Sequence, residues 1–134
     1  MTSAGFAIFQ LELVNYIEHY GLTRRYLGEG RYEPQQLHHS WNSAHTATSA
    51  LLINVTRHSD HHASPARPYP LLQSPNEDIA PYLPHGYAIM TTMALVPPLW
   101  MRRMNPRVRA WRRRFYPDIV DWSEYDKGQN PIPR

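Results

Sequence analysis

Six prolines stand between Ser64 and Pro84 (Pro65, Pro68, Pro70, Pro75, Pro81 and Pro84), almost half of the thirteen in a chain of 134 residues. Each fixes φ and lacks an amide hydrogen, so neither a helix interior nor a paired strand survives at that density. The spacing predicts a long extended loop here and confines regular structure to the stretches on either side. Upstream, Phe6 to Tyr20 carries no Gly or Pro and stops before Gly21, a natural C-cap, which predicts a first helix. Thr23 to Leu37, with Gly28, Gly30 and Pro34, reads as a surface loop or hairpin. A second helix is predicted from Ser40 or Trp41 to Arg57 and on through His62, with Leu51, Leu52, Ile53 and Val55 as its apolar body and Pro65 as its stop. Downstream, Tyr87 to Val96 is a third, short helix broken by Pro97-Pro98, and Pro106 to Phe115 a fourth. The expected fold class is all-α with a long Pro-rich loop, organised as a structured part over 1–115 and a polar tail over 116–134 that frays.

Composition removes several classes of function. There is no cysteine, so disulfide scaffolds, thiolate metal sites and cysteine nucleophiles are excluded, and any metal must be held by nitrogen or oxygen. The six glycines form no phosphate-cradling motif, which leaves nucleotide-driven chemistry without a foothold. The net charge of +3 is concentrated: seven arginines lie between Arg102 and Arg114, directly after the apolar Ala94 to Met101 stretch. No recognition helix or set of stacking aromatics surrounds them, so nucleic acid is not the expected partner. A membrane surface fits better, with Trp100 and Trp111 as interfacial anchors, against the plainer reading of a solvated basic helix. Phe6 to Val14 and His85 to Trp100 also have membrane character, although no run reaches the roughly 18 apolar residues of an unaided span.

Histidine is the anomaly, at eight residues. Arg57-His58-Ser59-Asp60-His61-His62 places three imidazoles at i, i+3 and i+4, which on a helix project from one face, as a shared metal ion requires. Asp60 is placed to orient the second ring nitrogen of a ligand. The competing reading is a solvated polar helix end. Imidazole coordination suits Fe, Cu, Zn or Ni, and spacing does not choose among them. His19, beside Glu18, ends the first predicted helix; a lone helical histidine is more often structural. His38 and His39 are followed by Trp41 and His45, with His38, Trp41 and His45 at i, i+3 and i+7. His85, between Pro84 and Gly86, reads as a loop residue.

Three segments, Asn15-Tyr-Ile-Glu-His-Tyr-Gly-Leu22, His38-His-Ser-Trp-Asn-Ser43 and Arg57-His-Ser-Asp-His-His-Ala63, together closely resemble in order and approximate spacing the carboxy-terminal part of the bacterial membrane-bound alkane 1-monooxygenases. Pro84 to Tyr87, Ala94 to Trp100 and Met104 to Val108 look like the same family's continuation, so the resemblance runs from about Phe6 to about Trp111. Wider relatives are the membrane fatty-acid desaturases and xylene-type monooxygenases. The resemblance implies a six-transmembrane, all-helical enzyme of the bacterial inner membrane, with this portion mainly on the cytoplasmic side. Its cofactor would be two non-haem irons, and it would use O₂ and electrons from a rubredoxin-type donor to hydroxylate the terminal methyl of an alkane. By position His58, His61 and His62 match one histidine box and His19 the histidine of the Asn-Tyr-x-Glu-His-Tyr-Gly motif. These four are the expected iron ligands, with no catalytic residue beyond them. His38, His39 and His45 match a further motif and are expected as supporting residues or additional ligands, with Glu18 and Asp60 as orienters. Arg57, Arg102, Arg103 and Arg107 are expected to meet an acidic electron carrier or lipid headgroups.

The chain departs from the family in lacking two upstream histidine boxes and the helices that carry them. Six spans alone need about 120 residues. The expectation is therefore a carboxy-terminal fragment that does not hydroxylate alkanes by itself. The alternatives are a non-catalytic metal-binding or membrane-peripheral fragment, or a piece of a related xylene monooxygenase or desaturase.

Overall fold

In a computed structural model, which describes residues 2–123 and 125, helices dominate and a single two-stranded hairpin interrupts them. Helix α1 (Ser3–His19) begins earlier than the apolar pattern suggests because Thr2 caps it, its hydroxyl accepting from the Gly5 amide at 3.3 Å. It ends where Gly21 takes φ +71°, and a Cβ built there would lie 2.6 Å from Cγ2 of Val108. Gly21 thus serves two needs, a left-handed turn and a close helix approach. Gly21→Ala should lower the stability of the fold by about 2 kcal/mol through strain and overpacking, read as a lower denaturation midpoint.

The expected hairpin forms: β1 (Tyr26–Gly28) pairs antiparallel with β2 (Arg31–Tyr32) around Glu29 and Gly30, both at positive φ. A 3-10 turn follows over Leu37–His39. Trp41 then fastens the chain to the end of α1, its amide donating to the Glu18 carbonyl at 2.8 Å and its indole N–H to the Tyr20 carbonyl at 2.9 Å.

The predicted helix over 40–62 is in fact two short ones, α2 (Thr46–Leu51) and α3 (His58–Ala63). Ile53 and Asn54 take φ +50° and +64°, and the Asn54 amide closes on the Ser49 carbonyl at 2.7 Å, terminating α2. Absence of Gly and Pro did not suffice for continuity, because Asn tolerates the left-handed region and the buried hydroxyls of Ser49 and Thr56 bond each other at 2.6 Å across the break. Residues 40–43 are extended. There the buried Asn42 side chain donates to Ser59 Oγ at 2.7 Å and accepts from the Ser59 amide at 3.0 Å, docking α3.

The Pro-rich segment is the expected loop, with one 3-10 turn at Tyr69–Leu71. Helix α4 (Tyr87–Ala94) is as expected, but Pro97-Pro98 opens a new helix instead of a gap. Helix α5 (Pro97–Phe115) uses both prolines at its first positions, where amide hydrogens have no helical partner, and continues through Pro106. Trp100, Met104, Val108 and Trp111 line its buried face, which makes the arginines between Arg102 and Arg114 the polar side of an amphipathic helix. With Ile17, Trp41, Tyr87 and Met90 they form the core. The tail also departs from expectation at its start: Tyr116 is buried and Trp122 packs beside it, whereas residue 124 and residues 126–134 lie outside the described part. Among the described residues no helix is long and apolar enough to cross a membrane.

Candidate metal centre

Three rings meet where the last residue of α1 faces α3. The Nε2 atoms of His19 and His58 are 3.1 Å apart, those of His19 and His62 3.3 Å, and those of His58 and His62 2.9 Å. These separations match adjacent donors around one ion at about 2.0–2.1 Å from each nitrogen. A ring nitrogen offers one in-plane position, either a hydrogen or a lone pair, so three of them at one point cannot satisfy each other pairwise. A shared cation would satisfy all three.

The electrostatics favour the ligand form. Burial lowers the pKa of all three imidazoles, and their mutual repulsion adds for two of them: His58 falls to about 3 and His62 to about 4. The rings are neutral at pH 7, as metal binding requires. The end of α1 that carries His19 is fixed on both sides of that residue by Trp41, which bonds the Glu18 and Tyr20 carbonyls. Nδ1 of His58 is buried with no partner.

Glu18 was expected to orient a ligand imidazole. Instead its Oε2 lies 3.3 Å from Nε2 of His58, the nitrogen that faces the cluster, while Oε1 accepts from the Tyr87 hydroxyl at 2.6 Å. Burial raises its pKa to about 7. A carboxylate in that position suits a fourth donor beside His58, exchanging its proton for a cation. Tyr87, which holds it, went unnoticed in the sequence because its partner is 69 positions away.

The other expected residues are arranged differently. His61 turns out of the cluster and stacks on Tyr69, with ring centroids 5.2 Å apart. The reason is geometric: in α3, His58 and His62 at i and i+4 already face His19, and His61 falls to the side. Asp60 orients no imidazole. It binds Arg67 Nη1 with both oxygens, at 2.6 and 2.5 Å, and accepts from the Gln73 amide at 2.8 Å, tying the Pro-rich loop to α3. Arg57 likewise turns inward and donates to the Leu72 carbonyl. His38 and His39 form a second group with Glu33. His45 is exposed at the N-cap position of α2, makes no side-chain capping bond, lies against Gly86 and is not among the three clustered histidines. Arg102 is exposed, Arg103 reaches His85 at 3.2 Å, and Arg107 bonds the Arg103 carbonyl at 2.9 Å. An open groove of about 1200 Å³ runs beside His19, lined also by Arg24, Asn105, Arg109 and Arg112. Of its arginines, the sequence had marked Arg109 and Arg112 only as members of a basic cluster.

The fatty acid desaturase family model matches residues 1–94. Alkane 1-monooxygenase 1 of Pseudomonas aeruginosa is 50% identical over 105 residues, which is 78% of this chain and 27% of that protein. Alkane 1-monooxygenase 2 of the same organism is 52% identical over 75% of this chain and 26% of its own length, and alkane 1-monooxygenase 2 of Alcanivorax borkumensis is 51% identical over 79% and 27%. The chain spans about a quarter of the length of these relatives. Because the family model covers α1, the hairpin, α2, α3 and α4, and so every histidine of the cluster, the chain belongs to the fatty acid desaturase family.

Proposed function

We propose that this chain is the carboxy-terminal portion of a membrane-bound, non-haem diiron alkane 1-monooxygenase of six transmembrane helices, acting on the cytoplasmic face of the bacterial inner membrane. The convergence of the His19, His58 and His62 Nε2 atoms within 3.3 Å carries this reading, because it is a preformed donor set on a chain whose relatives are monooxygenases. These three residues would hold one iron, and Glu18 stands beside them. His61, on the same short helix but turned aside, serves a second iron whose other ligands lie outside this chain. The irons supply the redox chemistry by which O₂ and electrons from a rubredoxin-type carrier are used to hydroxylate the terminal methyl of an alkane.

The residues of this chain perform the supporting work. Burial keeps the imidazoles neutral, Trp41 holds the end of α1 that carries His19, and the Tyr87 hydroxyl fixes Glu18. The arginines of α5 and of the groove beside His19 present positive charge to an acidic electron carrier or to lipid headgroups.

A chimera tests the proposal. This chain replaces the corresponding quarter of the Pseudomonas aeruginosa alkane 1-monooxygenase 1, and terminal alcohol formed from an alkane is measured in membranes supplied with the electron donor. Alcohol formation that disappears with His58→Ala is the expected result. A chimera that accumulates in the membrane with bound iron yet yields no alcohol would overturn it.

A further inference from the structure

The group formed by Glu33, His38 and His39 resembles a second metal site by proximity, but the hydrogens say otherwise. Nδ1 of His39 accepts the Gln36 amide at 2.9 Å, so its single hydrogen is on Nε2, the nitrogen that a metal would need. That nitrogen lies 2.6 Å from the Tyr116 hydroxyl, and Nε2 of His38 lies 3.0 Å from the same oxygen. The Tyr116 hydroxyl in turn donates to Oε1 of Glu33. One phenol oxygen, accepting two ring hydrogens and giving up its own, closes the group without a cation.

The position of this hub gives it a role. It fixes the 3-10 turn Leu37–His39 from one side, while the Trp111 indole donates to the His38 carbonyl at 2.7 Å from the other. Two residues beyond that turn, Trp41 donates to the Glu18 carbonyl at 2.8 Å and to the Tyr20 carbonyl at 2.9 Å, on either side of His19. We propose that Tyr116 is a positioning residue for the three-histidine site: its hydroxyl, through Glu33 and His39, holds the turn that, by way of Trp41, fixes the end of α1 from which His19 projects. This rests on the reading of His19, His58 and His62 as metal ligands. A residue at the end of α5 thereby tunes a centre built by α1 and α3.

The experiment uses the full chain with Co²⁺ as the probe. Tyr116→Phe keeps the ring in the core and removes the oxygen. Its Co²⁺ affinity should fall about tenfold, the low end of what outer partners of a metal ligand carry. In the metal-free protein the ¹⁵N ring resonances of His19 should shift and broaden, with near-native circular dichroism. Glu33→Gln, which keeps an acceptor for the phenol, should lose less affinity than Tyr116→Phe and leave the His19 resonances close to those of the unmodified chain. Unchanged affinity and an unchanged His19 spectrum in Tyr116→Phe would overturn the proposal, as would an affinity loss in Glu33→Gln as large as in Tyr116→Phe. If the unmodified chain binds no Co²⁺, the metal reading fails by itself, and the His19 spectra of the same variants still decide the positioning role.

Discussion

His58→Ala should weaken binding of Fe²⁺ or Co²⁺ to the chain by at least about a hundredfold, whereas His61→Ala should leave it within about twofold. Loss of an outer partner alone commonly costs 10–100-fold, and His58 is a donor itself. It is also the one that links the two halves of the site. Its Nε2 lies within 3.1 Å of both other nitrogens and 3.3 Å from Glu18. Without it, His19 and His62 remain as two donors on different helices, and Glu18 loses the imidazole it faces. His61 has no such position, since its ring is stacked on Tyr69. Isothermal titration of the two variants, with circular dichroism to verify folding, separates the outcomes. Equal losses in both would show that the H-x-x-H-H spacing, and not the observed convergence, selects the ligands of this chain. On the proposed two-iron reading, His61→Ala would also remove activity from the whole enzyme, so the contrast between the variants belongs to the isolated chain.

Local signals in the sequence carried the fold where they were unopposed. The proline density placed the long loop, Gly21 placed the end of α1, and Gly28 and Gly30 placed the hairpin. The errors arose where tertiary partners decide. The break between α2 and α3 has no Gly or Pro, and Asn54 in a left-handed conformation marks it only once Ser49 and Thr56 are known to bond across it. Pro97-Pro98 stops one helix and starts another, and sequence alone does not say which. Within the site, helical periodicity brought His58 and His62 to one face, but the choice between His61 and His62 depends on which side of α3 meets His19. The partner of Asp60 is likewise set by tertiary structure. A carboxylate inside a histidine motif suggests an orienter, yet Arg67, seven positions later in the Pro-rich loop, is the stronger partner. Tyr87 and Tyr116 carried no local signal because their partners are distant in sequence.

The metal-free chain should lose stability in mild acid, by about 2 kcal/mol between pH 7 and pH 5, and bound metal should protect it. Burial depresses the folded-state pKa of His58 to about 3 and of His39 to about 4, and lowers His19, His38 and His62 as well. In the unfolded chain these imidazoles titrate near 6.5. Below that pH the unfolded state binds protons that the folded state excludes, so stability falls as pH falls, by up to about 1.4 kcal/mol per pH unit for each fully buried ring. His39 has a specific reason to resist, since a proton on Nδ1 breaks its bond to the Gln36 amide. His58 and His39 carry most of the effect, because the more exposed rings are discounted for solvent screening. Glu18 works in the opposite direction. Its pKa is raised to about 7, so in the folded state it takes up a proton between pH 7 and its unfolded value near 4.5, which stabilises the fold in acid. That single gain offsets about one histidine, and the balance remains destabilising. Melting temperatures of the metal-free chain at pH 7 and pH 5 test the sign, and the same pair with His58→Ala should show a smaller difference. A chain whose stability is flat or rises over this interval would mean that the rings are solvated and the site is not preformed. With metal bound the expected order is unchanged but later, since protons must displace an ion from nitrogens that hold them weakly.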